Sequence, residues 1–266
     1  MASIHPTALV DPQARLADGV SVGPYTVIGP NVEIGEGTTI GAHAVIEGHT
    51  TIGRDNRIFQ FASLGADPQD KKYAGEPTRL VIGNGNTIRE FTTFNTGTVQ
   101  DKGITQIGDD NWIMAYVHVA HDCVIGSHNV IANSVQFAGH VTVGDFTLIG
   151  GISGIHQFVR IGDFAMLGFQ TRLSQDLPPF VVAAGNPAEA QNVHQEGPRR
   201  RGYSVERLSL LKQMYKLLYR KGLTLAASVD EITALKATPE AQADGALGDI
   251  DKMLAFLAGA QRGIVR

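Results

Sequence analysis

The sequence has little cysteine, little tryptophan and no long apolar run. Its 266 residues include one Cys and one Trp. A single cysteine cannot form an internal disulfide, so nothing points to an oxidising compartment. The N-terminus lacks the basic and apolar regions of a secretory signal peptide, and no apolar run approaches the roughly 18 residues that a membrane span needs. We therefore expect a cytoplasmic protein without stable membrane insertion.

Charged residues make up only 18% of the chain, and they are unevenly distributed. Residues 1–194 hold 10 Lys and Arg against 18 Asp and Glu, a net charge of −8, whereas residues 195–266 hold 12 against 8, a net charge of +4. A negative overall charge without basic and aromatic interleaving argues against a nucleic-acid partner. The basic C-terminal part favours an anionic partner instead.

Glycine, in contrast, is abundant, with 31 residues in a chain that at the usual frequency of about 7% would hold far fewer. An apolar residue recurs every six positions from Ile4 to Leu64 and from Ile82 to Phe94, then resumes after one slipped residue from Ile107 to Leu173. A period of six fits neither a helix nor a single alternating strand. It predicts a coil of short strands with three faces, an apolar interior, and glycines that permit the turn conformations at the corners.

Two polar segments, residues 66–79 and 97–104, interrupt the repeat, and such loops on a regular solenoid usually carry function. The repeat ends near Leu177, after which helical periodicity begins. Ser204 is predicted to cap a first helix, and Ser228 with Glu231 forms a capping-box pattern for a second; a third is expected within residues 240–260. The predicted fold is mainly β with a C-terminal α part: a β-helix over residues 1–190 with the two loops, then a small helical domain over 191–266.

A cluster of histidines marks the candidate site: His118, His121, His140 and His156. With 18 residues per coil, His121 shares a column with Gly139 and Gln157, while Asp122 shares the next column with His140. This pattern allows acyl transfer with a histidine as general base, oriented by Asp122, and a Gly139 amide that stabilises an oxyanion. That chemistry needs no metal, no other cofactor and no covalent enzyme intermediate.

Two other interpretations of the cluster stay open: a metal site, as in carbonic anhydrases built on this repeat, or ordinary polar surface residues. Cys123 lies beside the cluster, but its position in the repeat favours packing over nucleophilic catalysis. The run Arg199–Arg201 favours phosphate binding.

Several motifs resemble the bacterial UDP-N-acetylglucosamine O-acyltransferases of lipid A biosynthesis. The motifs are IMAYVHVAHDC at 113–123, QDKKYAGEPTR at 69–79, AGHV at 138–141, GIHQF at 154–158 and RRGY at 200–203. They follow one another in the order and spacing of that family, and the resemblance covers essentially the whole chain. It implies a left-handed parallel β-helix and a homotrimer with active sites between neighbouring chains.

The resemblance also implies the reaction: transfer of an (R)-3-hydroxyacyl group from acyl carrier protein to the 3-hydroxyl of UDP-N-acetylglucosamine, the first step of lipid A biosynthesis. It makes His121 the general base, Asp122 its orienting carboxylate and the Gly139 amide the oxyanion donor. The basic helices would suit the acidic carrier protein. The substrate-binding residues that it implies are Gln69, Asp70, Lys72, His118, His140, His156, Gln157, His194, Glu196, Arg200 and Arg201.

Three positions depart from the family pattern. His194 stands where the family often has Asn, and Asn95 where some members have His. Phe169 occupies the position of the acyl-length ruler in place of a small residue, so the length of the acyl chain stays open. The alternatives are an N-acyltransferase of the same repeat family, a metal-dependent carbonic anhydrase-like protein and a structural or ice-binding solenoid. The N-acyltransferases carry an extra N-terminal uridine-binding domain, for which the repeat beginning at Ile4 leaves no room.

Overall fold

The period of six builds a continuous coil of short parallel strands in the computed structural model, which describes residues 1–266. The strands form three sheets of 11, 9 and 8 strands. In chain order, strands β1 to β28 span Ser3–Ile4, Leu9–Val10, Arg15–Leu16, Ser21–Val22, Val27–Ile28, Val32–Ile34, Thr39–Ile40, Val45–Ile46, His49–Ile52, Arg57–Ile58, Ser63–Ala66, Arg79–Ile82, Thr87–Ile88, Thr93–Asn95, Ile104–Ile107, Trp112–Ile113, His118–Val119, Val124–Ile125, Val130–Ile131, Gln136–Phe137, Thr142–Val143, Leu148–Ile149, Gly154–Ile155, Arg160–Ile161, Met166–Leu167, Arg172–Leu173, Val181–Ala184 and Glu189–Val193.

The apolar residue of each six-residue unit forms the core of the coil. From Val22 to Leu173 every one of them is buried. Ile4 is 46% exposed because it belongs to the first coil, which has a neighbour on one side only. Stacking places each of these side chains on the equivalent one of the next coil, as in the pair Ile131 and Ile149. The predicted three-faced coil is therefore confirmed.

The reason predicted for the recurrent glycines was wrong. The corner residues adopt positive φ, but most of them are not glycine, as in Asp122 (φ 58°) and His140 (φ 63°). The glycine that follows the apolar residue is needed for a different reason. A Cβ at Gly126 would lie 2.6 Å from the carbonyl oxygen of Gly144, in the next coil. Close stacking of the coils, rather than turn conformation, excludes a side chain there.

The C-terminal part is helical, as predicted, with α1 (Glu196–Arg200), α2 (Val205–Tyr219), α3 (Leu225–Ala234), α4 (Ala246–Ala258) and 3₁₀ turns at Leu235–Ala237 and Pro239–Gln242. Ser204 caps α2 by accepting a hydrogen bond from the Arg207 amide. The predicted start of the second helix was wrong, because Thr224 is its cap and Ser228 lies buried inside α3. None of these helices combines the length and the apolar character needed to cross a membrane.

The helices cover the last coils of the β-helix. Strand β28 turns back antiparallel to β27, and the boundary predicted between residues 190 and 191 falls within β28. Tyr215 of α2 and Val265 complete the core of the coil, while Phe164 and Phe180 from two corners join the core of the helices. The two parts therefore share apolar residues along one continuous interface.

Candidate functional site

His121 and Asp122 form a hydrogen-bonded pair at one corner of the coil. The distance from His121 Nδ1 to Asp122 Oδ2 is 2.9 Å, and both residues are buried. An ionised carboxylate can only accept hydrogen bonds, so Nδ1 carries a proton, and in the neutral imidazole Nε2 is the nitrogen with the lone pair. Asp122 adopts the left-handed conformation at this corner (φ 58°), and its carboxylate lies beside the imidazole of the preceding residue. This geometry is that of a general base with an orienting carboxylate.

The imidazole of His121 lies against Gly139 of the next coil. A Cβ at Gly139 would lie 2.5 Å from His121 Cε1 and 2.6 Å from Nε2, so only glycine leaves room for the ring. The Gly139 N–H makes no hydrogen bond within the chain. The column of His121 and Gly139 predicted from the repeat therefore brings a base and an available amide donor into contact.

His140 lies beside this pair, at the same corner of the following coil. Its ring meets the His121 ring edge to face, with centroids 4.9 Å apart, and stacks on Phe158 at 4.4 Å. His140 Nδ1 is 2.7 Å from Asp101 Oδ2, which lies in the loop between β14 and β15. The two imidazoles are thus each held through Nδ1 by a different carboxylate.

His118 lies on the neighbouring face, in β17. Its Nδ1 is 2.7 Å from the hydroxyl of Thr93, its partner in the adjacent strand. Burial lowers the pKa of His118, and the nearby His121 acts in the same direction. His118 is therefore neutral near pH 7, and a neutral imidazole has one nitrogen that donates and one that accepts a hydrogen bond.

Cys123 faces the interior of the coil and not the cleft. It is fully buried, and its Sγ is 3.2 Å from the carbonyl oxygen of Ala138. Burial raises the pKa of the thiol to about 12. A thiol with so little thiolate is a poor nucleophile. The interpretation of Cys123 as a packing residue agrees with this placement.

A metal ion would find three ligand atoms here, from His121, Asp122 and His140, all within 4.8 Å of one another. Two of them, however, already bond to each other, and His140 Nδ1 bonds Asp101. A catalytic zinc site typically has three protein ligands and an open position for water. The two imidazoles would still offer Nε2, but both oxygens of the Asp122 carboxylate already accept hydrogen bonds from Thr98, so a third protein ligand is lacking unless those bonds break.

The loop of residues 67–78 forms one wall of a polar cavity beside the corner. The cavity has a volume of about 710 Å³ and is lined by Asp70, Lys72, His140 and Gln157, together with the chain end near Arg262. A hydrogen bond from the Lys72 amide, 3.0 Å long, is the main reason why the pKa of the Asp70 carboxyl lies below its ordinary value. Asp70 is therefore an anionic acceptor suited to hydroxyl groups.

The comparisons with known proteins cover the whole chain. The chain is 60% identical to the acyl-[acyl-carrier-protein]–UDP-N-acetylglucosamine O-acyltransferase of Verminephrobacter eiseniae and 57% identical to that of Thiobacillus denitrificans, each over 100% of both chains. The chain belongs to this O-acyltransferase family. A sequence profile described as Udp N-acetylglucosamine O-acyltransferase, Domain 2, matches residues 176–265, and a bacterial transferase hexapeptide profile matches residues 104–139.

Solved structures place the O-acyltransferase family on the same fold. LpxA from Acinetobacter baumannii is 46% identical, with a TM-score of 0.92, and covers 99% of both chains. The UDP-N-acetylglucosamine O-acyltransferase of Moraxella catarrhalis is 44% identical, with a TM-score of 0.93 and the same coverage. The left-handed β-helix with a helical C-terminal part, expected from the resemblance, is confirmed.

The remaining predicted residues of this O-acyltransferase do not join the histidine cluster within one chain. His118 and His156 line a separate groove of about 400 Å³. Glu196 lies at the start of α1 and pairs with Arg200 at 2.8 Å. The guanidinium of Arg201 stacks over the ring of Phe146 at 4.3 Å. Within a single chain these predicted residues therefore lie in separate places.

Three predicted residues have surroundings that the sequence did not indicate. His194 is buried, and its ring nitrogens already bond the carbonyl of Phe164 at 2.7 Å and the amide of Gly197 at 3.2 Å. A direct contact of His194 with a ligand would have to break one of these bonds. Phe169 is 63% exposed, and Gln69 projects from the exposed loop.

Sequence reasoning missed four residues that form hydrogen bonds with the histidines and Asp122 of the site: Thr93, Thr98, Asp101 and Thr105. The loops lengthen two coils, so Ser63 pairs with Thr93 and Thr93 pairs with His118, with spacings of 30 and 25 residues in place of 18. The two interruptions of the repeat, and the one-residue slip after the second, were visible in the sequence. Applied to the loops, they would have brought Thr93 beside His118.

Proposed function

We propose that this chain transfers an (R)-3-hydroxyacyl group from acyl carrier protein to the 3-hydroxyl of UDP-N-acetylglucosamine, the first step of lipid A biosynthesis. His121 Nε2 takes the proton of the sugar hydroxyl, and the resulting oxygen attacks the thioester carbonyl. The C–S bond then breaks, and the carrier-protein sulfur receives the proton from His121. The observation that carries this proposal is the hydrogen bond of 2.9 Å between His121 Nδ1 and Asp122, which makes Nε2 the basic nitrogen of the neutral imidazole.

Gly139 contributes the oxyanion donor in this mechanism. Its amide N–H is unused within the chain and adjoins the His121 ring. Charge develops on the thioester oxygen when the tetrahedral intermediate forms, and a fixed backbone donor stabilises it without reorganisation. A donor next to the base suits a reaction in which the hydroxyl oxygen loses its proton to the base while it attacks the adjacent carbonyl carbon.

The sugar binds between the loop at 67–78 and the histidine corner. Asp70 accepts from sugar hydroxyls, Lys72 and Gln69 contact the same ring, and His140 and Gln157 line the opposite side of the cavity. A polar cavity of about 710 Å³ is large enough for a sugar nucleotide. His118 and His156 line the second groove, where the donor chain reaches the corner.

The nucleotide is assigned to the start of the helical domain. Arg200 and Arg201 supply positive charge to the diphosphate, and Glu196 and His194 lie in the same segment. Guanidinium groups suit phosphate because they offer two parallel N–H donors. The net charge of +4 over residues 195–266 also suits an acidic carrier protein. The cytoplasmic location expected from the sequence is part of this proposal.

A homotrimer would bring the separate parts of the site together. Residues of the histidine corner and of α1 line separate cavities within one chain, and α1 of a neighbouring chain would complete the site. A column of stacked and exposed rings on one corner supports an assembly, because such apolar surface is usually covered. The column consists of Tyr25, His43, Phe61, Phe91 and Tyr116, with centroids 5.0 to 5.1 Å apart.

The test is acyl transfer followed by mass spectrometry. Purified protein is mixed with UDP-N-acetylglucosamine and a series of (R)-3-hydroxyacyl carrier proteins of different chain length, without added metal. We expect an O-acylated sugar nucleotide, and His121→Ala should lower kcat by about 10²- to 10⁴-fold while the protein stays folded. Absence of product with every donor, from folded protein, would refute the proposed function. The preferred donor reports the effect of Phe169 on the acyl groove.

A further inference from the structure

Thr98 contacts the Asp122 carboxylate through two different donors. Its backbone N–H lies 3.0 Å from each carboxylate oxygen, and its hydroxyl lies 2.6 Å from Oδ2. Thr98 is 1% exposed and the Asp122 side chain is 0% exposed, so water does not compete for these hydrogen bonds. Hydrogen bonds to a buried ionised group are stronger than those between neutral groups.

The hydroxyl of Thr98 and the imidazole of His121 meet at the same oxygen. Oδ2 of Asp122 accepts both the Thr98 hydroxyl and His121 Nδ1. The terminal torsion of an aspartate is broad and intrinsically poorly fixed. A second donor on Oδ2 therefore holds the carboxylate in the plane that the imidazole needs.

The loop between β14 and β15 also fixes the backbone of Asp122. Its amide donates to the hydroxyl of Thr105 at 2.9 Å. Thr98 and Thr105 stand at the two ends of the loop, whose neck is tight: a Cβ at Gly97 would lie 2.0 Å from the Ile104 nitrogen. The narrow neck presents both threonines to Asp122 at once.

The segment that carries Thr98 is itself anchored to the wall of the cavity. The side-chain amide of Asn95 donates to the carbonyl of Asp67 at 2.9 Å, where the loop at 67–78 begins. The hydroxyls of Thr96 and Thr78 lie 3.0 Å apart, where the same loop ends. The backbone just before Thr98 is thus tied to both ends of the loop at 67–78 and cannot easily follow a moving carboxylate.

We propose that Thr98 is a positioning residue for the general base, acting through Asp122 to fix the orientation and the Nδ1-protonated form of His121. The inference rests on the proposed function for its kinetic consequence, although the geometric part can be tested separately. Thr98 borders the sugar cavity, but it is only 1% exposed and its hydroxyl is used by Asp122, so its effect falls on the chemical step rather than on sugar binding.

The kinetic test compares Thr98→Val, which removes the hydroxyl and keeps the shape, with Thr98→Ser, which keeps the hydroxyl. We expect Thr98→Val to lower kcat about tenfold, with the KM for UDP-N-acetylglucosamine nearly unchanged, and Thr98→Ser to restore most of the rate. Thr147→Val is the matched control, because Thr147 is equally buried and donates to Asn129 at 2.8 Å, away from the cavity.

A double mutant separates positioning from general structural damage. In an Asp122→Asn background, Thr98→Val should cause little further loss, because both changes disable the same interaction. Full additivity of the two losses would overturn the proposal, as would equal losses in Thr98→Val and Thr147→Val. If Thr98→Val does not fold, Thr98→Ala removes the same hydroxyl without introducing a new methyl contact.

The ¹⁵N resonances of the His121 imidazole, assigned with His121→Ala, provide a readout that is independent of activity. We expect the Nδ1-protonated form in the unmodified protein and in Thr147→Val, and a mixture of the two neutral forms in Thr98→Val. Unchanged His121 resonances in Thr98→Val would overturn the inference. A failure of the proposed function gives a different result: the unmodified protein transfers no acyl group, although its His121 resonances still show the Nδ1-protonated form.

Discussion

Replacement of Gly139 by alanine tests the position of the His121 ring directly. The added methyl group would lie 2.5 Å from Cε1 and 2.6 Å from Nε2 of His121, whereas ordinary contact begins near 3.4 Å. The backbone at this position tolerates alanine, since Ala115 occupies the equivalent place before a left-handed residue at another corner. The backbone N–H of residue 139 is kept. The change therefore displaces the imidazole and leaves the oxyanion donor in place.

The expected magnitude follows from that displacement. The ring has to move by about 0.9 Å to reach ordinary contact, but its Nδ1 is tied to the buried Asp122 carboxylate. A misplacement of about 1 Å at a reacting group can cost about 100-fold in rate. We expect Gly139→Ala to lower kcat about 100-fold, with a small change in the KM for UDP-N-acetylglucosamine.

Steady-state acyl transfer at saturating donor measures this effect, and Gly151→Ala is the matched control. Gly151 occupies the equivalent turn position at another corner, where the nearest atom to an added Cβ is the Asn133 carbonyl oxygen at 3.0 Å. The control experiences a similar change in packing without an imidazole. A folded Gly139→Ala protein that retains the kcat of the Gly151→Ala protein would refute the placement of His121 over Gly139.

Three further predictions concern reactivity, pH and helix capping. Cys123 should resist alkylation by iodoacetamide at pH 8 in the folded protein and react after unfolding in urea, because burial raises its pKa to about 12; rapid labelling of the native protein would contradict its interior position. Because burial lowers the pKa of His118, the unfolded chain takes up a proton near pH 6.5 that the folded chain resists. Stability should therefore fall between about pH 7 and pH 5, and urea midpoints of His118→Gln should fall less steeply over this range. Thr224→Ala should lower the free energy of unfolding by about 1 kcal/mol, because it removes the cap of α3. Ser209→Ala, at a half-buried position inside α2 that caps no helix, should have a smaller effect in the same denaturation experiment.

The helices show where local patterns are reliable and where they are not. Ser204 precedes an amphipathic run and caps α2 as predicted, because the local chain supplies both the cap and the amide it binds. The same kind of pattern at Ser228 failed. Its hydroxyl donates to the Leu217 carbonyl of α2, so packing between helices uses the residue that the local pattern assigned to a cap. Thr224, four residues earlier, caps α3 instead.

The sequence by itself determined the coil and the column that His121 shares with Gly139. A fixed period of six specifies which side chains point inward, and a regular coil of 18 residues brings His121 over Gly139 whatever the rest of the chain does. Periodicity is sufficient there because the neighbours in space are equivalent positions of successive coils.

Only the tertiary structure decided what holds those residues in place. Thr98 reaches Asp122 across 24 residues, and Asp101 reaches His140 across 39, both through a loop without periodicity. His194 is committed to two backbone groups that no local pattern indicates. The physical reason is that a loop's path depends on its closure against the coil, on buried hydrogen bonds and on side-chain packing, all of which involve residues distant in sequence.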